Sequence, residues 1–172
     1  KYLAIDASTE ACSVALHKDN EVLEHFELCP QSHSLRLLPL VDEMLNKADT
    51  KLTELDGLVF GRGPGSFTGV RIGIGVAQGL GYSADLPMVG VSTLQSLAQV
   101  ALQAQNAEIE IVLSAIDARM SEVYFGIFKK NDAGLMTPLI DECVVPPESA
   151  KSILEEAGIT NAVCVGTGWK AY

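Results

Sequence analysis

LAIDASTEACSVALH, residues 3–17, decides the fold, because its first apolar run returns later in the chain. Ala4-Ile5-Asp6-Ala7 recurs as Ala115-Ile116-Asp117-Ala118, each time closing an apolar strand. A few polar residues and a second strand follow each copy: CSVALH (12–17) first, EVYFGIF (122–128) second. After the first copy, K-D-N turns the chain into EVLEHFEL (21–28), giving an antiparallel three-strand unit. HSLRLLPLVDEMLNKA reads as a helix capped by Ser32 or Ser34, with Pro39 bending it or marking its first full turn. A strand at 56–60, a helix at 68–81, a strand at 87–91 and a helix at 93–104 complete the first half. The second half repeats the order: a polar turn (KKNDAG), a third strand LIDECVV (139–145), a helix opened by Pro146-Pro147, and the strand AVCVGTG. The same order of elements around the repeated tetrapeptide argues for duplication. Two β-β-β-α-β-α units with an acidic residue at the tip of each first strand describe the actin-like ATPase (ribonuclease H-like) fold. The expected domains are 1–106 and 107–172, the second one lacking its last helices.

Composition bounds the function. The chain has 172 residues, 48% hydrophobic and 20% charged, as expected of a globular protein. Its formal charge of −10, from 12 basic against 22 acidic residues, argues against direct RNA or DNA binding and suits a basic protein partner. Cys12, Cys29, Cys143 and Cys164 form no C-x-x-C pair and sit in apolar runs, so they read as reduced core thiols of a cytoplasmic protein. His17, His25 and His33 form no H-x-x-x-H pair, which demotes a metal hydrolase.

The stretch GRGPGSFTGVRIGIG (61–75) raises a phosphate cradle as a hypothesis. It matches neither G-x-x-x-x-G-K-[ST] nor G-x-G-x-x-G. Backbone amides at the start of the following helix could still take an anion, with Arg62 or Arg71 assisting. The candidate degenerate nucleotide or anion site is therefore Asp6, Ser8, Arg62, Gly63, Gly65, Ser66, Thr68 and Asp117. Active actin-like ATPases carry Asp-x-Gly in the first turn; here Asp6 precedes Ala7-Ser8 and Asp117 precedes Ala118-Arg119. Inside the helix, Gly69 and Gly73, then Gly75 and Gly79, are spaced one turn apart, and each glycine costs roughly 0.5–1 kcal/mol against alanine. That cost calls for close packing on another element. The preceding helix carries apolar residues around more of its circumference than one core face needs. Leu37, Leu40, Val41, Met44, Gly69, Gly73, Val76 and Gly79 are accordingly the expected partner interface.

GRGPGSFTGVRIG (61–73), with LAIDAST near the start and DARMSEVY (117–124), resembles the TsaB (YeaZ) family, and the resemblance spans essentially the whole chain. It implies a homodimer in isolation, a heterodimer with a TsaD-type subunit, and an assembly that the ATPase TsaE joins. It implies that TsaD carries the metal and transfers the threonylcarbamoyl group to transfer RNA, with this chain a non-catalytic relative. By that resemblance the chain needs no metal, catalytic residue or cofactor of its own; whether ATP or ADP sits at a subunit interface stays open. The alternative is an active actin-like ATPase or an M22 peptidase-like protein, including a TsaD-processing or resuscitation-promoting role.

Overall fold

In the computed structural model, which describes residues 1–104 and 109–171, β1 (Tyr2–Asp6), β2 (Ala11–Lys18) and β3 (Glu21–Leu28) form an antiparallel meander. Asp6 pairs with Ser13 at one end and Tyr2 with His17 at the other. β4 (Gly57–Gly61) and β5 (Met88–Val91) add in parallel on the far side of β1, giving the order β3-β2-β1-β4-β5. Leu3, Ile5, Val14 and Leu16 alternate inward, as a half-covered sheet requires. They form one core with Leu37, Leu40, Val41 and Met44 of α1 (His33–Lys47). α1 runs unbroken through Pro39, where only the hydrogen bond to the Leu35 carbonyl is forfeited. Ser32 occupies its N-cap, though its side chain makes no capping bond. α2 (Phe67–Ala84) lies beside α1 and packs on β1 and β4.

The second unit repeats this pattern. β6 (Ile111–Arg119) pairs antiparallel with β7 (Glu122–Lys130), and β10 (Val163–Val165) lies parallel to β6 on its other side. The single third strand expected at 139–145 is instead two: β8 (Met136–Pro138) and β9 (Cys143–Val145) pair with successive parts of β7. The β8 contact ends with the Leu139 N–H donating to the Ile127 carbonyl of β7 at 2.7 Å, and the chain leaves the sheet between the two pieces. α4 (Pro147–Glu156) starts at the proline pair, and α5 (Gly168–Ala171) is one short turn.

The chain divides into compact units Lys1–Ser92 and Thr93–Tyr172. The expected boundary at 106/107 lies outside the described residues. α3 (Thr93–Ala104), read from the sequence as part of the first half, packs Leu94, Ala98 and Leu102 against Val112, Phe128 and Met136 of the second unit. Two copies of the ribonuclease H-like arrangement make this an actin-like fold, as the repeat implied. Among the described residues no helix is long and apolar enough to cross a membrane.

Candidate functional site: the first-strand turn and the glycine loop

At the end of β1 the Asp6 carboxylate turns back on its own backbone. The Ser8 N–H donates to Oδ1 at 2.8 Å and the Ser8 hydroxyl to Oδ2 at 3.1 Å. Each oxygen thus accepts a hydrogen bond from within the turn. The glycine loop after β4 closes over the same turn. Ser66 N–H donates to the Ser8 carbonyl at 2.7 Å, and Ser8 is buried. A Cβ on Gly65 would overlap the Ser8 carbonyl oxygen, and one on Gly69 the Ala7 carbonyl oxygen. These two glycines are therefore required by close backbone approach. The Ser66 hydroxyl caps α2 by accepting from Gly69 N–H at 3.3 Å. Arg71, read as an anion-binding aid, stacks its guanidinium 3.4 Å over the Phe67 ring and donates to the Phe67 carbonyl at 2.9 Å.

Of the anion-site candidates, Asp6, Ser8, Gly65 and Ser66 come together in this closed turn. Gly63 sits in the loop with a positive φ of 84°, while Arg62 and Thr68 are exposed. Asp117 belongs to the second unit, where it makes the corresponding turn: Arg119 N–H donates to its Oδ1 at 2.7 Å. The glycines after β10 press against β6 in the same manner, with Gly166 and Gly168 against Ala115.

The interface candidates divide between two directions. Leu37, Leu40, Val41 and Met44 are buried in the first unit's own core, which corrects their assignment to a partner surface. Gly69 and Gly73 face Ala7, where a Cβ added at Gly73 would lie 3.7 Å from the Ala7 Cβ, and Val76 packs half-buried against the core. The helix approaches the β1 turn closely there, and that approach accounts for the inward glycines. Only Gly79, with Gly75, has open space around a notional Cβ. The outward apolar residues are others: Leu35 is 73% exposed, Leu38 51%, Phe67 73% and Tyr82 93%. Phe67, Arg71, Gly75, Gln78 and Tyr82 follow the helical repeat along one exposed stripe of α2. The sequence held this signal in its phase, since the inward set of α1 is 37, 40, 41, 44 and the outward set falls between.

Electrostatics elsewhere in the unit are local. Arg36 grips Glu27 through two 2.7 Å hydrogen bonds, tying α1 to β3 and holding the Glu27 carboxyl below the usual carboxylate range. Burial, then the neighbouring Cys29 thiol, pushes the Cys12 thiol up from 9.0 to about 12. Cys12 and Cys29 are the buried thiols the sequence leads one to expect, but Cys143 is half-buried and Cys164 exposed.

The chain is similar to known proteins along most of its length. Residues 25–168 match the family described as TsaD: tRNA N6-adenosine threonylcarbamoyltransferase. The Escherichia coli K12 protein named tRNA threonylcarbamoyladenosine biosynthesis protein TsaB is 49% identical over 172 residues, covering 100% of this chain and 73% of its own length. Its Haemophilus influenzae namesake is 47% identical over 177 residues, covering 99% of this chain and 73% of its own. A solved structure of YeaZ from Pseudomonas aeruginosa superposes with a TM-score of 0.80 at 49% identity, covering 85% of this chain and 67% of that one.

Proposed function

Because the chain belongs to the TsaB family, we propose that it serves tRNA threonylcarbamoyladenosine biosynthesis as a non-catalytic scaffold, binding and supporting a TsaD-type subunit together with the ATPase TsaE. The observation that carries the non-catalytic part is the closed β1 turn. Both Asp6 oxygens are bonded to Ser8, and the glycine loop donates into the turn rather than out of it. A phosphoryl-transfer site needs donors preorganised toward the transferring group. Here the Ser66 amide donates to the Ser8 carbonyl of the β1 turn, and the Ser66 hydroxyl oxygen accepts from Gly69 N–H as the helix cap. The match to a threonylcarbamoyltransferase family fits a relative that kept the fold and lost the chemistry.

The partner surface in this reading is the outward side of α1 and α2: Leu35, Leu38, Phe67, Tyr82 and the bare backbone at Gly75 and Gly79. Isolated protein pairs with a second copy through it. A TsaD-type subunit replaces that copy in the working complex. A charge of −10 suits a subunit that leaves transfer RNA to its partners. The reading assigns no cofactor to the chain's own chemistry.

Complementation tests the reading. In cells depleted of their own TsaB-type protein, the full-length protein restores threonylcarbamoyladenosine, counted by mass spectrometry of digested transfer RNA. Asp6→Asn, which keeps an acceptor for Ser8, restores it equally. Loss of the nucleoside with Asp6→Asn, in a variant that still folds and still captures its TsaD-type partner, refutes the scaffold role. So does ATP or peptide turnover by the isolated protein at about 1 per second, the range of ordinary enzymes.

A further inference from the structure

Cys12 opens the buried face of β2, Cys29 follows β3 directly, and His33 begins α1; all three are buried. One donor atom from each lies within 4.8 Å of the other two. We propose that Cys12, Cys29 and His33 form a binding site for a thiophilic divalent cation of the zinc type. The proposal is independent of the scaffold reading and departs from the expectation that the chain holds no metal.

The imidazole is already arranged as a ligand. Its Nε2 lies 2.8 Å from the Thr9 carbonyl oxygen, which can only accept, so Nε2 is a donor, and in the neutral imidazole that tautomer leaves the Nδ1 lone pair for a ligand bond. A metal-binding histidine characteristically donates its second N–H to a carbonyl or carboxylate in this way. The backbone around the site is tied down without any ion. Cys29 N–H donates to the Glu10 carbonyl at 3.0 Å, Ser32 N–H to the Cys29 carbonyl at 2.9 Å, and the Glu27–Arg36 pair locks β3 to α1.

Distances and charge agree with the ion class. Zinc bonds of about 2.3 Å to sulfur and about 2.0–2.1 Å to nitrogen place tetrahedral ligand atoms roughly 3.5–3.8 Å apart, so from separations within 4.8 Å the donor atoms need to close by at most about 1.3 Å. Two thiolates and a neutral imidazole cancel a divalent charge, which avoids leaving a net charge in a buried place. A monovalent ion with both thiolates would leave one. Soft sulfur donors select zinc and its congeners over magnesium or calcium. Among the described residues no further Cys, His, Asp or Glu joins the cluster, so side chains supply three of the four tetrahedral positions.

The experiment uses reduced, metal-free, full-length protein and cadmium as the probe. Expected are one equivalent bound per chain, by equilibrium dialysis and elemental analysis, and a thiolate-to-cadmium charge-transfer absorption. Cys12→Ser, Cys29→Ser and His33→Gln each weaken uptake at least about tenfold, while Cys143→Ser and Cys164→Ser leave it unchanged. Circular dichroism shows which variants fold. Should the cluster variants not fold, differential alkylation of the wild type decides: cadmium or zinc protects Cys12 and Cys29 and leaves Cys143 and Cys164 as reactive as before. Sub-stoichiometric uptake, protection spread over all four thiols, or a Cys12–Cys29 disulfide forming at the same rate with and without metal overturns the site.

Discussion

Gly69→Ala and Gly79→Ala, two changes of the same kind on one helix, are expected to shift stability in different directions. Alanine in place of a helical glycine gains about 0.8–1.0 kcal/mol of intrinsic propensity at either position. At Gly79 no heavy atom comes within 4 Å of the added carbon, so that gain is realised and the variant is more stable than wild type. At Gly69 the carbon would overlap the Ala7 carbonyl oxygen. That oxygen is backbone, in a turn held by the two Asp6–Ser8 bonds, so it has no rotamer by which to move aside. Relieving such an overlap costs about 1–3 kcal/mol. The propensity gain is common to both variants and cancels between them, so Gly69→Ala lies about 1–3 kcal/mol below Gly79→Ala, or roughly 2–12 °C in melting temperature for a chain of this size. Gly73→Ala, whose carbon meets only the Ala7 Cβ at 3.7 Å, tracks Gly79→Ala. Urea and thermal unfolding followed by far-ultraviolet circular dichroism, at a dilution where light scattering reports monomer, measure all three. Equal stability of Gly69→Ala and Gly79→Ala would refute the close approach of α2 to the β1 turn.

The outward face predicts association. Leu38→Glu leaves monomer stability within about 0.5 kcal/mol of wild type, as exposed changes do, and Gly79→Leu does not lower it, because leucine shares most of alanine's helix-propensity gain at that open site. Both weaken homodimer formation at least tenfold by light-scattering mass; Leu37→Glu puts a charge in the core and unfolds the first unit. An unaltered dimer in both outward variants rejects that face as the interface. In alkali, the folded protein keeps the Cys12 proton up to about pH 12, whereas the unfolded chain releases it near the ordinary value of 9.0. The unfolded state therefore binds fewer protons across that window. The contribution is intact below pH 9 and is lost as pH rises toward 12, at up to about 1.4 kcal/mol per pH unit. In metal-free, reduced protein the stability gap between wild type and Cys12→Ala should narrow between pH 8 and pH 10.5. A constant gap over that range contradicts the assignment.

Local patterns in the sequence carried the architecture. Two-residue alternation in YLAID and CSVALH reflects a sheet covered on one face, and the repeated AIDA marks the same strand end in both units. These signals are legible because side-chain direction along a strand or helix depends on backbone geometry alone. Neighbours far away in sequence decided the rest. α1 is apolar on most sides; its phase separates Leu37, Leu40, Val41 and Met44 from Leu35 and Leu38, and packing on β2 and β3 settles that the first set is covered and the second exposed. Gly69 and Gly79 are identical in sequence terms; the β1 turn lies beside one and nothing lies beside the other. On sequence alone Asp6 stood among the candidate anion-site residues; the fold shows Ser8 bonded to both of its oxygens. Cys12, Cys29 and His33 follow no spacing motif, because their convergence comes from antiparallel β2–β3 pairing and the chain reversal into α1. Composition and periodicity, being local, set the elements of this protein. Which atoms face a neighbour is a relation between distant segments, and only the tertiary packing creates it.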